Sequence, residues 1–241
     1  MKEIHDSGLA GFGWGEYYEK RARIFEDPLV ASEYITPEGK IEDGLVQAMA
    51  GFILDRLRPG PAHRILDVGC ACGVMLGNLI EAGMTGKQIV GIDVSPGMIE
   101  KARSSLPGVN FKVMEAANIG ELGRFDRILL WGVTHYLDRR DYALTVIGEL
   151  IRALEPGGRA LIGWVPESRK KEQYIAWRRA LPRIDNSVRI ERNDSLQWLW
   201  FDREEFQRLE TDYPVKVRFF EHRDFPGAVK DFFFSALIEV S

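Results

Sequence analysis

Apolar positions along this chain follow two rhythms that take turns. Over Gly44–Leu57, the residues Leu45, Met49, Phe52, Ile53 and Leu57 fall on one face, the three-and-four spacing of an α-helix. Tyr142–Leu154 repeats that spacing through Val146, Ile147, Leu150, Ile151 and Leu154. Both stripes read as core. Short apolar runs begin at Ile65 and recur at Gln88–Asp93, Val109–Met114, Arg127–Trp131 (opened by Phe125-Asp126) and Ala160–Val165. Runs this short, bounded by glycine, proline or acidic residues, predict buried strands. Strands alternating with helical patterns predict βαβ units and a doubly wound, mostly parallel sheet of the α/β class. Further on, Asp202–Tyr213 reads as a helix capped by Asp202, with Glu205 at the capping-box position. Val215–His222 and Asp231–Val240 read as two closing strands, with a Pro226-Gly227 turn in their connection. There is no internal repeat and no low-complexity tract.

The run Ile-Leu-Asp-Val-Gly-Cys-Ala-Cys-Gly-Val-Met-Leu, from Ile65 to Leu76, joins the first strand to a helix through a tight turn. Gly69 and Gly73 lack a Cβ, so the backbone can turn sharply and come close to a ligand. The following helix aims its free N–H groups and positive dipole end at the same spot. A phosphate-cradling loop would end in Gly-Lys-Ser/Thr, which is missing. A dinucleotide fingerprint fails as well, because its second and third glycines are replaced by Ala71 and Val74. Asp67 stands at the mouth of the strand, where a carboxylate suits a cationic or hydroxyl-bearing ligand and repels a pyrophosphate. Taken alone, the motif also fits a plain strand–turn–helix junction. Asp93 ends the second strand at about the place of a ribose-binding acid, roughly 20 residues beyond the turn. Ser95 then reads as an N-cap with Pro96 at the first helical position.

In order and spacing, residues 60–165 resemble the class I S-adenosylmethionine-dependent methyltransferases. Their first motif is an acidic residue, any residue, then Gly-x-Gly-x-Gly; Asp67, Gly69 and Gly73 match it, and Ala71 stands in for the middle glycine. Asp93 and the Ser-Pro-x-Met helix after it are typical of the same family. The resemblance implies a seven-stranded Rossmann-like sheet whose last strand runs antiparallel. It implies S-adenosylmethionine as the methyl donor and S-adenosylhomocysteine as the product. It also implies a cofactor-binding set of Asp67, Gly69, Cys70, Ala71, Gly73, Asp93, Val94, Met98, Glu115, Ala116 and Trp131. Within that set Glu115 stands where the family usually places an Asp for the adenine amino group, with the next backbone N–H reaching a ring nitrogen. The loop Gly132–Tyr136 should lie over the donor, and Leu154-Glu155-Pro156-Gly157-Gly158 reads as a helix stop turning into the fifth strand.

Composition narrows the classes. At 241 residues, with 45% hydrophobic and 28% charged positions, one sizeable core is expected. The expected divisions are an N-terminal helical cap (1–60), a cofactor core (61–165), an acceptor-site insertion (166–201), and a C-terminal helix with a strand pair (202–241). A net charge of −4 argues against a duplex nucleic-acid binder. No run approaches the ~20 apolar residues of a membrane span, and the first residues lack a signal-peptide core, so a cytoplasmic location is expected. Cys70 and Cys72 are too close for ordinary disulfide geometry and read as small, reduced, buried thiols. No His/Asp/Glu spacing suggests a metal.

Two outer segments bear on the acceptor. Gly8–Gly39 carries Phe12, Trp14, Tyr17, Tyr18, Phe25 and Tyr34, which reads as a lid over the site, as a satellite core, or as both. Pro166–Trp200 carries eight Lys and Arg between Arg169 and Arg192 against five acids, Glu167, Glu172, Asp185, Glu191 and Asp194. That excess reads either as contact with an anionic acceptor or as a solvated helix face. Methyl transfer is an in-line displacement, so the protein must chiefly align the acceptor and exclude water. An oxygen acceptor also needs a base, and His135, in the loop after the fourth strand, is the expected one; His222 is the reserve. The expected function is methyl transfer to an oxygen or nitrogen of a small molecule. RNA- or protein-directed methylation, a non-catalytic cofactor binder and a nicotinamide oxidoreductase are the alternatives.

Overall fold

A computed structural model describes residues 13–34, 44–84, 89–180, 198–227 and 229–241. Seven strands form one sheet: β1 (Ile65–Val68), β2 (Ile89–Asp93), β3 (Asn110–Val113), β4 (Phe125–Trp131), β5 (Leu154–Pro166), β6 (Val215–Phe220) and β7 (Phe233–Val240). Their order is β3-β2-β1-β4-β5-β7-β6. The first five are parallel, and β7 runs antiparallel to both neighbours. The expected sheet and its reversed last strand are therefore present.

Helices cover both faces, as a parallel sheet requires. One core joins Leu66, Val68, Ile128, Leu130, Ala160 and Ile162 to Val146, Ile147, Leu150 and Ile151 of α6 (Arg140–Arg152). The other joins Ile65, Ile89, Leu129 and Leu161 to α3 (Leu45–Leu57) and α4 (Val74–Glu81), and to Ile99 and Ala102 of α5 (Pro96–Ser105). Alternate residues along each strand thus supply opposite layers. The two stripes seen in the sequence are these core faces.

The remaining helices frame the sheet: α1 (Trp14–Ile24), α2 (Pro28–Ala31), α7 (Lys171–Ala180), α8 (Arg203–Gln207) and α9 (Leu209–Asp212). Ser95 caps α5 through its hydroxyl, which accepts from Met98 N at 3.1 Å. Asp202 and Glu205 form the expected capping box, but the helix it opens is broken at Arg208 into α8 and α9. The segment Leu154–Gly158 is not a helix stop outside the sheet. Leu154 already pairs with Phe125, and a register shift between Phe125 and Arg127 absorbs the residues that follow. A second irregularity lies between Ile162 and Val165 opposite β7, where Trp164 takes a left-handed φ of 58°. The closing strands are shorter than expected: β6 stops at Phe220, and a single 3-10 turn precedes β7.

The N-terminal helices sit on α5. Glu19 of α1 accepts from Ser95 Oγ at 2.7 Å and from Gly97 N at 2.8 Å, which supplies the α5 N-terminus with a negative charge. Arg21 is fully buried. Its guanidinium donates to the carbonyls of Ala31 (2.9 Å) and Val30, tying α1 to α2. Among the described residues no helix is long and apolar enough to cross a membrane.

Candidate active site

The turn between β1 and α4 is pinned to β2. Gly69 N and Cys70 N both donate to Ile92 O, at 2.8 and 3.0 Å. Gly69 has φ 73°, and a Cβ there would fall 2.4 Å from Val133 Cγ2. The loop after β4 therefore closes down on a position that only glycine can hold. Ala71, standing in for the family's middle glycine, takes a left-handed φ of 46°, a conformation that costs an L-residue about 1 kcal/mol. Its N–H donates to Asp93 Oδ2 at 3.0 Å, while Ser95 N donates to Asp93 Oδ1 at 2.9 Å. Asp93 thus joins the glycine turn to the start of α5.

These elements enclose a cavity of about 390 Å³ at the carboxyl ends of β1, β2 and β4, where ligands sit in open α/β sheets. Asp67, Gly69, Cys70, Ala71, Asp93, Val94, Glu115, Ala116 and Trp131 line it, so the structure brings together nine of the eleven residues expected to bind the cofactor. Asp67 is buried, and burial pushes its carboxyl up to about 7, with the charge of Asp93 adding to the effect. Burial also raises Asp93, opposed by the N–H groups of Ser95, Ala71 and Val94. Two adjacent carboxylates in a cavity favour a ligand that brings positive charge and hydroxyl donors. At the far end Glu115 accepts from Tyr142 Oη at 2.9 Å. Asp138 lies beside them, its carboxyl raised by burial and by Glu115.

Three expected residues lie elsewhere. Met98 is fully buried beneath the N-terminal helices, 3.1 Å from Cys72 Sγ; the helix geometry that caps α5 turns it into the core. Gly73 is left-handed (φ 76°), and a Cβ on it would meet Leu106 and Phe111 at 3.2 Å, so its role is close packing of α4. His135 is buried outside the cavity, its ring 4.0 Å from Tyr136, 4.5 Å from Trp198 and 6.2 Å from Phe233. The one-turn 3-10 helix Thr134–Tyr136 sends consecutive side chains in different directions, and Tyr136, not His135, reaches the cavity. His222 bonds Ser235 Oγ through Nε2 at 2.8 Å and stacks on Trp164 and Phe225. Burial first, then Arg56, Lys170 and Arg203, lowers it to about 3, so it is neutral at pH 7.

Other lining residues carried no motif. Trp14, Tyr18 and Tyr34 of the aromatic N-terminal segment form part of the wall, with Ser32, Val133, Asp138 and Tyr142. The rings of the N-terminal segment were signalled only by aromatic density ahead of the core, whereas Val133 belongs to the loop expected over the donor. The basic insertion is described only in part. Lys170 pairs with Glu167 at 3.0 Å and Arg169 pairs with Glu204, while Arg183, Arg189 and Arg192 lie outside the described residues. Among the described residues no group of three His, Cys, Asp or Glu could hold a metal.

Residues 65–158 match the family model described as a methyltransferase domain. An uncharacterized methyltransferase of Mycobacterium tuberculosis is 29% identical over 132 residues, covering 54% of this chain and 50% of that protein. Residues 65–158 are thus similar to the methyltransferase domain. An O-methyltransferase of Penicillium expansum is 29% identical over 164 residues, covering 61% of this chain and 56% of that protein. The chain spans about half the length of such relatives. The fold matches magnesium protoporphyrin IX methyltransferase from Synechocystis, solved with bound SAM, at a TM-score of 0.61, 13% identity and 100% coverage of both chains. The cavity's own geometry fits S-adenosylmethionine. A Cβ would fill the turn at Gly69, and Asp67 would offer a buried carboxylate to an ammonium group. Asp93 and Glu115 would offer acceptors to ribose hydroxyls and an adenine amino group. When bound, the donor supplies a methyl group on a positively charged sulfur.

Proposed function

We propose that this protein transfers the methyl group of S-adenosylmethionine to an oxygen or nitrogen of a small-molecule acceptor. The observation that carries the reading is the cavity itself, with Asp67 and Asp93 on adjacent strands and the backbone of Gly69–Ala71 between them. The chain's residues bind and orient: Asp67 receives a cationic head, Asp93 a sugar, and Glu115 with the Ala116 amide a base. Trp14, Tyr18, Tyr34 and Tyr136 exclude water from the transfer. Aromatic faces also favour a cation such as a sulfonium.

The acceptor side leans away from a histidine-assisted mechanism. His135 is buried outside the cavity and His222 is held neutral within a stack of rings. That arrangement favours acceptors needing no dedicated imidazole base, namely amines that shed a proton to water and acidic hydroxyl or carboxyl oxygens. Trp131, which lines the cavity, offers an apolar boundary to such a molecule. Arg169 and Lys170, two of the five described cations of the basic insertion, are engaged in ion pairs with the scaffold, which favours the solvated-face reading for that pair.

The test is a panel of phenols, carboxylic acids and amines incubated with methyl-labelled S-adenosylmethionine, read as label transfer by mass spectrometry. Calorimetry with S-adenosylhomocysteine and with NAD accompanies it. Heat from the first ligand and none from the second is expected; the reverse overturns the proposal. Tight donor binding without transfer to any class would favour the non-catalytic reading.

A further inference from the structure

One side chain joins the N-terminal helices to the loop after β4. Glu33 Oε1 accepts from Tyr17 Oη at 2.8 Å, and Oε2 accepts from Tyr18 Oη at 3.0 Å. The same Oε2 accepts from Tyr136 Oη at 3.3 Å. Arg21, fully buried, lies 3.6 Å from Oε1. Tyr17 and Tyr18 belong to α1, Glu33 follows α2, and Tyr136 follows β4, more than a hundred residues away. Trp14 adds a ring contact to Tyr136 at 4.5 Å, and Tyr18 adds another at 5.4 Å.

The backbone at Glu33 is left-handed, with φ 60°. A non-glycine residue held there marks a segment constrained by its surroundings, and such segments gather at ligand clamps. The consequence is visible in the neighbours: Ser32 and Tyr34, on either side of Glu33, both line the donor cavity. So do Tyr18 and Tyr136, which Glu33 binds. A hydroxyl lost from this group leaves the others facing a partly desolvated carboxylate, so the bonds hold together as a set.

We propose that Glu33 is the positioning residue that holds the N-terminal cap against the loop after β4, and that donor and product exchange only when the Tyr136–Glu33 bond opens. This rests on the cavity being the donor site. The closed arrangement would keep the aromatic wall in place around the reacting sulfur, and opening would set the rate at which S-adenosylhomocysteine leaves.

Stopped-flow tryptophan fluorescence on the full chain tests it, with S-adenosylhomocysteine as the probe. Tyr136→Phe keeps the ring against Trp14 and removes only the hydroxyl. It should quicken ligand release by about 5- to 20-fold and speed entry as well, leaving the thermal unfolding midpoint of the free protein nearly unchanged. Glu33→Gln should quicken release at least as much, and the double variant should not exceed Glu33→Gln, because both act on one group. Release from Tyr136→Phe within twofold of the parent, with binding intact, overturns the latch and spares the donor site. Failure of the parent protein to bind S-adenosylhomocysteine at all overturns both. Should Glu33→Gln not fold, hydrogen exchange on the parent decides: the amides of α1 should slow with saturating ligand, and unchanged exchange would sink the proposal.

Discussion

Both carboxylate oxygens of Asp93 are engaged by backbone N–H groups, one from the glycine turn and one from the start of α5. The side chain therefore has two duties, shaping the loop and presenting its remaining lone pairs to the cavity. Asp93→Ala should weaken S-adenosylhomocysteine binding by about 1.5–3 kcal/mol, the range for hydrogen bonds to a charged group. Calorimetry would see a dissociation constant raised by roughly 10- to 150-fold; an unchanged constant removes Asp93 from the site. Gly69→Ala should fold less stably by about 2 kcal/mol and bind poorly, since it meets both a left-handed φ and Val133. Adding Val133→Ala should relieve the collision but not the φ cost, so thermal melts should recover only part of the loss.

Asp67 gives the site a pH signature. Its folded value near 7 lies above the ordinary 3.8, so the free protein gains stability from the protonated form. That gain is complete below about pH 4 and is lost as pH rises through 7. A bound ammonium favours the carboxylate, so affinity for S-adenosylhomocysteine should rise several-fold between pH 6 and pH 8. Methylthioadenosine, which lacks the amino acid, should show a flat profile over the same range. Equal pH slopes for the two ligands would place the ammonium elsewhere. At this scale the sequence was legible wherever backbone shape dictates residue type, as at Asp67, Gly69 and Asp93. It was silent on side-chain direction within a one-turn helix, which is why His135 was expected in a cavity that Tyr136 lines instead.

At the scale of elements, the periodic stripes located α3 and α6 to within two residues, because a face buried against a sheet must repeat every three to four positions. Boundaries set by tertiary pairing were less visible. Nothing local to Leu154 announces that it pairs with Phe125, nor does the capping box at Asp202 foretell the break at Arg208. The docking of α1 on α5 also has no local signal, since Glu19 acts across 76 residues on Ser95. Glu19→Ala should cost about 1.5 kcal/mol by removing two charge-assisted bonds from a partly exposed side chain. The N–H of Gly97, then the hydroxyl of Ser95, hold the Glu19 carboxyl below its usual 4.5. The contribution is therefore present above that pH and fades as pH falls below it. Melts of the parent and variant should converge on acidification; a constant gap would assign the loss to packing alone.

Across the whole molecule, the two faces of the sheet carry the bulk of the packing and the carboxyl ends of its strands carry the chemistry. The alternation of strand and helix patterns was enough to foresee that division, because handed βαβ crossovers leave few ways to arrange it. The closing β6–β7 pair followed from two terminal runs and a Pro-Gly turn. The acceptor was least legible, since Pro166–Trp200, the segment expected to flank it, shows charge but no periodic pattern. Saturation with S-adenosylhomocysteine at 100 times its dissociation constant should stabilise the molecule by about 2.7 kcal/mol, seen as a raised unfolding midpoint that NAD does not reproduce.

Trp131, at the end of β4, packs against the bare backbone of Gly163 in β5: a Cβ there would lie 2.0 Å from the indole ring. The floor of the cavity is thus adjustable from a neighbouring strand. A single methyl group added at position 163 would lift the indole toward the donor and shrink the room for an acceptor. Exchanging Trp131 for a smaller ring in the same variant would lower the floor again, giving a paired dial for acceptor size on an unchanged scaffold.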